Sequence, residues 1–200
     1  LDPTDANSKY GDIESWDTSA VRNMSDLFRF GVLTYSFNEN ISGWDTSNVV
    51  NMSSMFEQAT NFNQDIGSWV TSKVIYMEYM FKDAYAFNQD ISTKIAINSS
   101  GTKYLAWDTS SVENMREMFH IEYYLSSKGN FNNGQSIDNP GELGTKPLYW
   151  NTSSVTDMYY MFKGQRRFNQ CISTDYITLT EGDFTESFWS WDTSNVTTME

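Results

Sequence analysis

Six times along the chain a Trp opens a short polar word that ends in Val: WDTSAV at Trp16, WDTSNV at Trp44, WVTSKV at Trp69, WDTSSV at Trp107, WNTSSV at Trp150 and WDTSNV at Trp191. The Trp-to-Trp intervals are 28, 25, 38, 43 and 41 residues, so the bare unit is 25 and the longer cycles carry insertions. Behind each anchor follows V-x-x-M-x-x-[ML]-F. The ten Met stand at 24, 52, 55, 77, 80, 115, 118, 158, 161 and 199, all at two offsets of this block, with Leu27 in the one substituted place. A chain built this way buries its apolar face only by stacking one unit on the next.

The offsets 0, 3, 6, 7 and 10 (Val49, Met52, Met55, Phe56 and Ala59) fall on one face at about 100° per residue, which predicts an amphipathic helix of about three turns. The preceding Thr-Ser supplies good N-cap types. Offset 8, at Arg29, Glu57, Lys82, His120 and Lys163, is expected to face water. The second half of the unit reads FNQDI at Phe62–Ile66 and Phe87–Ile91, without helical period, and is expected to be a short strand. The fold class expected is therefore α/β: a leucine-rich-repeat-like solenoid with short parallel strands stacked on one side and short helices on the other. The recurring Asn38, Asn63, Asn88, Asn132 and Asn169 are expected to hydrogen-bond up and down the stack as amide ladders. The Met, Phe and Trp columns are expected to form the core, with Met filling irregular gaps.

The unit W-D-T-S-N-V-x-x-M-x-x-M-F-x-x-A-x-x-F-N-Q-D-I-S resembles the surface-protein repeat of about 26 residues found in BspA-like leucine-rich-repeat proteins. The resemblance implies an extracellular or cell-surface location. It also implies adhesion or protein binding rather than catalysis. It covers nearly the whole chain: a partial leader unit at 1–15, units starting at 16, 44, 69, 107 and 150, and a cut unit at 191–200. Residues 1–200 read as one repeat array, expected to be a segment of a longer one or to pair end to end with further copies.

Composition narrows the partners. The net charge of −13 and pI near 4.3 argue against a nucleic-acid ligand. No apolar stretch reaches the roughly 18 residues of a membrane span. One cysteine, Cys171, excludes a disulfide framework and a Cys-rich metal site. His120 is the single histidine, and no HExxH, P-loop or dinucleotide word accompanies it, so neither an enzyme nor a cofactor is expected. Asp17, Asp45, Asp108 and Asp192 line up after Trp; stacked carboxylates suit Ca²⁺, but capping a turn is the simpler role.

The insertions are the departures. After Ile91, Ile137 and Ile172 come 15, 12 and 18 residues before the next Trp, where the bare unit has two; all enlarge one joint and so belong on one edge. They and a longer joint in the fourth cycle hold the idiosyncratic aromatics Tyr104, Tyr123, Tyr124, Tyr149, Tyr176 and Trp189, the last being the only Trp outside the ladder. Aromatics on loops held by a rigid scaffold make good contacts. These six, with the polar Gln64, Asp65, Gln89 and Asp90, are the candidate partner contacts, and Asn98 is the candidate glycosylation site. The function expected is a non-enzymatic scaffold, extracellular or on the cell surface, binding a protein or glycan through the edge insertions. The alternative is a structural segment or subunit of an extracellular fibre assembling end to end. A third reading uses the Thr-Ser columns as an ice- or mineral-binding surface.

Overall fold

The structure, a computed structural model, describes residues 10–29, 37–122, 129–135 and 146–200. In the bare unit from Trp44, the N–H of Val49 donates to Thr46, Met55 to Met52, Glu57 to Ser54, Ala59 to Phe56, Phe62 to Ala59 and Trp69 to Ile66, at 3.0–3.2 Å. Each bond spans three residues, so the chain advances as a train of tight turns. The alternate N–H groups of Met52, Ser54, Phe56 and Gln58 donate elsewhere, to Tyr76, Glu78, Met80 and Lys82 of the next unit at 2.7–2.9 Å. The same alternation recurs from Met24, Met77 and Met115. Single parallel bridges run Asn23–Asn51–Tyr76–Asn114–Asp157–Thr198 and tie the units into a column.

The expected leucine-rich-repeat-like α/β solenoid of helices and parallel strands is therefore not formed. Among the described residues helix is confined to Tyr10 and a 3₁₀ turn at Ile13–Ser15, and the only sheets are two small antiparallel ones. The helix fails for two physical reasons. The residue before the second Met sits in the left-handed region in every unit: Asp26, Ser54, Tyr79, Glu117 and Tyr160 have φ between 51° and 59°. That conformation interrupts a right-handed helix. In addition, half of the donors that a helix would direct to its own carbonyls are directed to the next unit. A train of three-residue turns also turns every third residue inward, so it buries the positions a helix would bury. Val49, Met52, Met55, Phe56 and Ala59 are all fully buried.

The capping reading fails with the helix. Thr18, Thr46, Thr71, Thr109 and Thr152 donate their hydroxyls to the carbonyls of Asp45, Val70, Asp108, Asn151 and Asp192 in the following unit, at 2.7–3.0 Å. The water-facing offset also fails in part: Glu57 and His120 are buried. FNQDI forms no strand. Its order comes from side-chain amides: the N–H groups of Asn63, Asn88, Asn132 and Asn169 donate to Oδ1 of Asn38, Asn63, Asn88 and Asn132, at 2.7–3.0 Å.

The core is a set of aromatic columns. Phe28, Phe56, Phe81, Phe119 and Phe162 stack at 5.5 Å per step. Phe37, Phe62, Phe87, Phe131 and Phe168 stack beside them at 5.7–5.9 Å. Five of the six ladder Trp donate the indole N–H to a carbonyl one unit back: Trp44 to Ile13, Trp69 to Ile41, Trp107 to Ile66, Trp150 to Ile91 and Trp191 to Leu148, at 2.6–3.2 Å, while Trp16 donates locally to Tyr10 and Gly11. Buried indoles need such partners, and here each one doubles as an inter-unit staple. Nine of the ten Met lie in this interior; Met199 is exposed, as is Leu27.

Candidate functional site

Two insertions leave the column as β-hairpins. β1 (Lys94–Ile97) pairs antiparallel with β2 (Lys103–Ala106), and β3 (Tyr176–Glu181) with β4 (Phe184–Trp189). Both segments are rich in β-branched and aromatic residues that suit a pleated surface. The first turn closes through Asn98, whose Oδ1 accepts from the N–H groups of Ser100 and Thr102, with Gly101 at φ +82°. The second is a two-residue Gly182-Asp183 loop with positive φ at Gly182, the position that favours glycine in such hairpins.

Each hairpin is clamped at its base in the same way. Thr93 donates its hydroxyl to the carbonyl of Trp107 at 2.6 Å, and Thr174 donates to Trp191 at 3.0 Å. Both Trp residues take positive φ, 50° and 53°. The words Ile91-Ser92-Thr93 and Ile172-Ser173-Thr174 mark these clamps, a signal in the sequence that the repeat pattern alone did not expose. β1 lies beside β3, and the Lys103 ammonium donates to the Glu181 carbonyl across the gap. The insertions after Ile91 and Ile172 therefore share one edge.

The expected contact residues divide sharply. Tyr104 is a strut: its hydroxyl donates to the Ser68 carbonyl at 2.7 Å, and burial raises its pKa. Tyr149 is half-buried, and its carbonyl accepts from Thr93 at 2.9 Å. Gln64 and Gln89 are rungs of the ladder, donating to the carbonyls of Asn38 and Asn63 at 2.6 Å. Asp65 and Asp90 accept from the N–H groups of Gly67 and Ser92 and so close turns. Tyr123 and Tyr124 lie outside the described residues, as does Ile137. Asn98 is exposed at the tip of the first hairpin. Tyr176 and Trp189 are 60% and 53% exposed and face each other across β3 and β4, with ring centroids 5.2 Å apart.

The polar clusters elsewhere are internally matched. Glu117 receives the Lys82 ammonium at 2.6 Å and His120 Nδ1 at 2.8 Å. Burial pushes the Glu117 carboxyl up, but the bonds from Lys82 and His120 outweigh it and leave it below its usual range. His120 is buried; its Nε2 has no hydrogen-bond partner and stands 3.9 Å from the Glu122 carboxylate. Asp17, Asp45, Asp108 and Asp192 each accept the N–H of the Ser two residues on, at 2.9–3.0 Å, the turn-capping role. The Ser19 hydroxyl and N–H hold the Asp17 carboxyl, and the Ser194 N–H and hydroxyl the Asp192 carboxyl, below their ordinary values. Among the described residues, no group of three or more His, Cys, Asp or Glu is placed to hold a metal ion. Of the Thr-Ser columns, Thr18, Thr46, Thr71, Thr109 and Thr152 are buried and so form no surface for ice or mineral. No helix among the described residues is long and apolar enough to cross a membrane.

No curated protein and no solved structure matches the chain. One family does, twice over, at residues 4–104 and 102–200, and the two matches together span almost the whole sequence. The chain belongs to the family described as Mycoplasma protein of unknown function, DUF285.

Proposed function

We propose that this protein is a non-enzymatic scaffold of the extracellular or cell surface that binds a protein or glycan partner through its edge hairpins. The observation that carries the reading is the contrast in how polar and aromatic groups are engaged. In the column the Thr hydroxyls, Asn and Gln amides and Trp indoles bond to neighbouring units. On the second hairpin, two large aromatic rings stand in solvent on a short, clamped β-ribbon. A rigid base holding exposed Tyr and Trp is the arrangement that recognition surfaces favour, because these side chains bring large contact area with little rotamer freedom to lose. The resemblance of the repeat to BspA-like surface repeats supports the same direction.

The test is excision. Residues 175–190 are replaced by a short Gly-Ser turn in one variant and residues 94–106 in another, and binding to a cell-surface extract is measured by surface plasmon resonance. The reading expects binding by the parent chain and its loss on removal of the second hairpin, with the thermal transition retained. Undiminished binding without either hairpin contradicts it.

A further inference from the structure

We infer that the outer face of the β3–β4 hairpin is a platform for a neutral carbohydrate, an inference that rests on the hairpins being the interaction surface. The six side chains of this face are Tyr176, Thr178 and Thr180 on β3, and Thr185, Ser187 and Trp189 on β4, all exposed. Tyr176 and Trp189 form the first rung, their planes inclined by 60° so that they make an angled seat rather than a closed stack. Thr178 and Ser187 form the next, with hydroxyls 3.0 Å apart, and Thr180 and Thr185 the third, at 3.3 Å. The opposite face carries half-buried Ile177 and Leu179 and buried Phe188, so the ribbon's apolar residues other than the two rings are turned inward.

The chemistry of this face selects its occupant. It has no charged side chain, in a chain of net charge −13. By the strand register Glu181 and Glu186 belong to the opposite face, Asp183 lies in the turn, and the Lys103 ammonium is held at the Glu181 carbonyl; no side chain of the outer face supplies a cation for an anionic ligand such as a sulfated or sialylated glycan or a phosphopeptide. A protein anchor would need a wider apolar patch than two rings bordered by four hydroxyls. A neutral sugar offers both complements: C–H faces that pack on the indole and phenol, and hydroxyls that donate to and accept from Thr and Ser, each of which keeps capacity beyond its cross-strand partner. The three rungs extend over about 14 Å at the rise of antiparallel strands, the length of an oligosaccharide rather than a single sugar.

The probe is an array of neutral and anionic glycans, read with the full chain and with Trp189→Ala, Tyr176→Ala, Trp189→Phe and Tyr104→Phe. Neutral oligosaccharides bind, Trp189→Ala and Tyr176→Ala each weaken them at least tenfold, and Trp189→Phe, which keeps an aromatic face, weakens them less. Tyr104→Phe, on the inward side of the other hairpin, leaves them unchanged. A thermal transition equal to the parent's certifies each variant as folded. Signals confined to anionic glycans, or no glycan bound at all, overturn the inference. If the chain still binds an enzymatically deglycosylated surface extract through residues 175–190, the hairpin surface stands and the carbohydrate assignment alone fails. Neutral binding indifferent to both aromatic substitutions overturns both.

Discussion

The stretch from Asn38 to Ile91 and the hairpin from Tyr176 to Trp189 are built from the same kinds of residue and treat them in opposite ways. Between Asn38 and Ile91, the Phe and Trp rings stack in buried columns, and Thr46, Thr71, Asn63 and Gln89 bond to neighbouring units. In the hairpin, Thr and Ser bond only across the ribbon, and the Tyr and Trp stand outside. The lesson is that a repeat able to meet its hydrogen-bonding demand internally has little left to offer a partner. Recognition then falls to the segments that break the period.

The contrast can be broken hardest at an indole. Trp107→Ala removes a fully buried ring and one of the two donors to the Ile66 carbonyl, the indole N–H at 2.7 Å, leaving only the Trp69 N–H. It is expected to lower stability by about 4 kcal/mol in urea denaturation, near the limit a single substitution reaches. Asn88→Ala comes next. One side chain accepts from Asn132 and Gly134 and donates to Gln135, so its loss is expected to remove about 2 kcal/mol by the same measurement.

The buried ion cluster sharpens the comparison through pH. The Glu117 carboxyl titrates below its unfolded value of 4.5, since Lys82 and His120 outweigh burial. Its contribution is therefore complete above that value and is lost as pH falls through the lower folded value. Glu117→Gln should cost about 1–2 kcal/mol at neutral pH and nothing in strong acid, where the parent's carboxyl is protonated too. A difference that persists unchanged into acid contradicts the assignment.

Smaller effects test the backbone and the ribbon. Ser54→Gly, at φ 53°, should be neutral or stabilise by up to about 1 kcal/mol, because glycine has no left-handed penalty there. A helix at this position would instead lose about 1 kcal/mol on gaining a glycine, so the sign of the change discriminates the two conformations. Trp189→Ala should change stability by less than about 0.5 kcal/mol, as an exposed position does, whatever it does to binding.

The sequence announced the period, the core and the amide ladder, because each leaves a residue-type signature at fixed offsets. It also placed Trp189 outside the ladder and the insertions after Ile91 and Ile172 on one edge. What it hid was conformation. A helix and a train of three-residue turns bury Val49, Met52, Met55 and Phe56 alike, and left-handed Ser54, Tyr79 and Glu117 are not the glycines that would have betrayed the turns. The site was half visible for a related reason. Tyr104 and Tyr176 look equivalent in sequence, yet strand register turns one toward Ser68 and the other to solvent. In Gln64 and Gln89 a polar side chain suggested a surface, while the repeat spacing set each beside a free carbonyl.

Native-state hydrogen exchange compares the two regions most directly. The amides of Met52, Ser54, Phe56, Met77, Tyr79 and Phe81, which donate between units, are expected to exchange only through global unfolding. The β3–β4 amides should exchange through a separate local opening of lower free energy, at a rate that excision of residues 94–106 alters and that leaves the column untouched. Exchange of both regions in step, or hairpin amides slower than those of the column, would contradict the division between a saturated scaffold and a mounted binding ribbon.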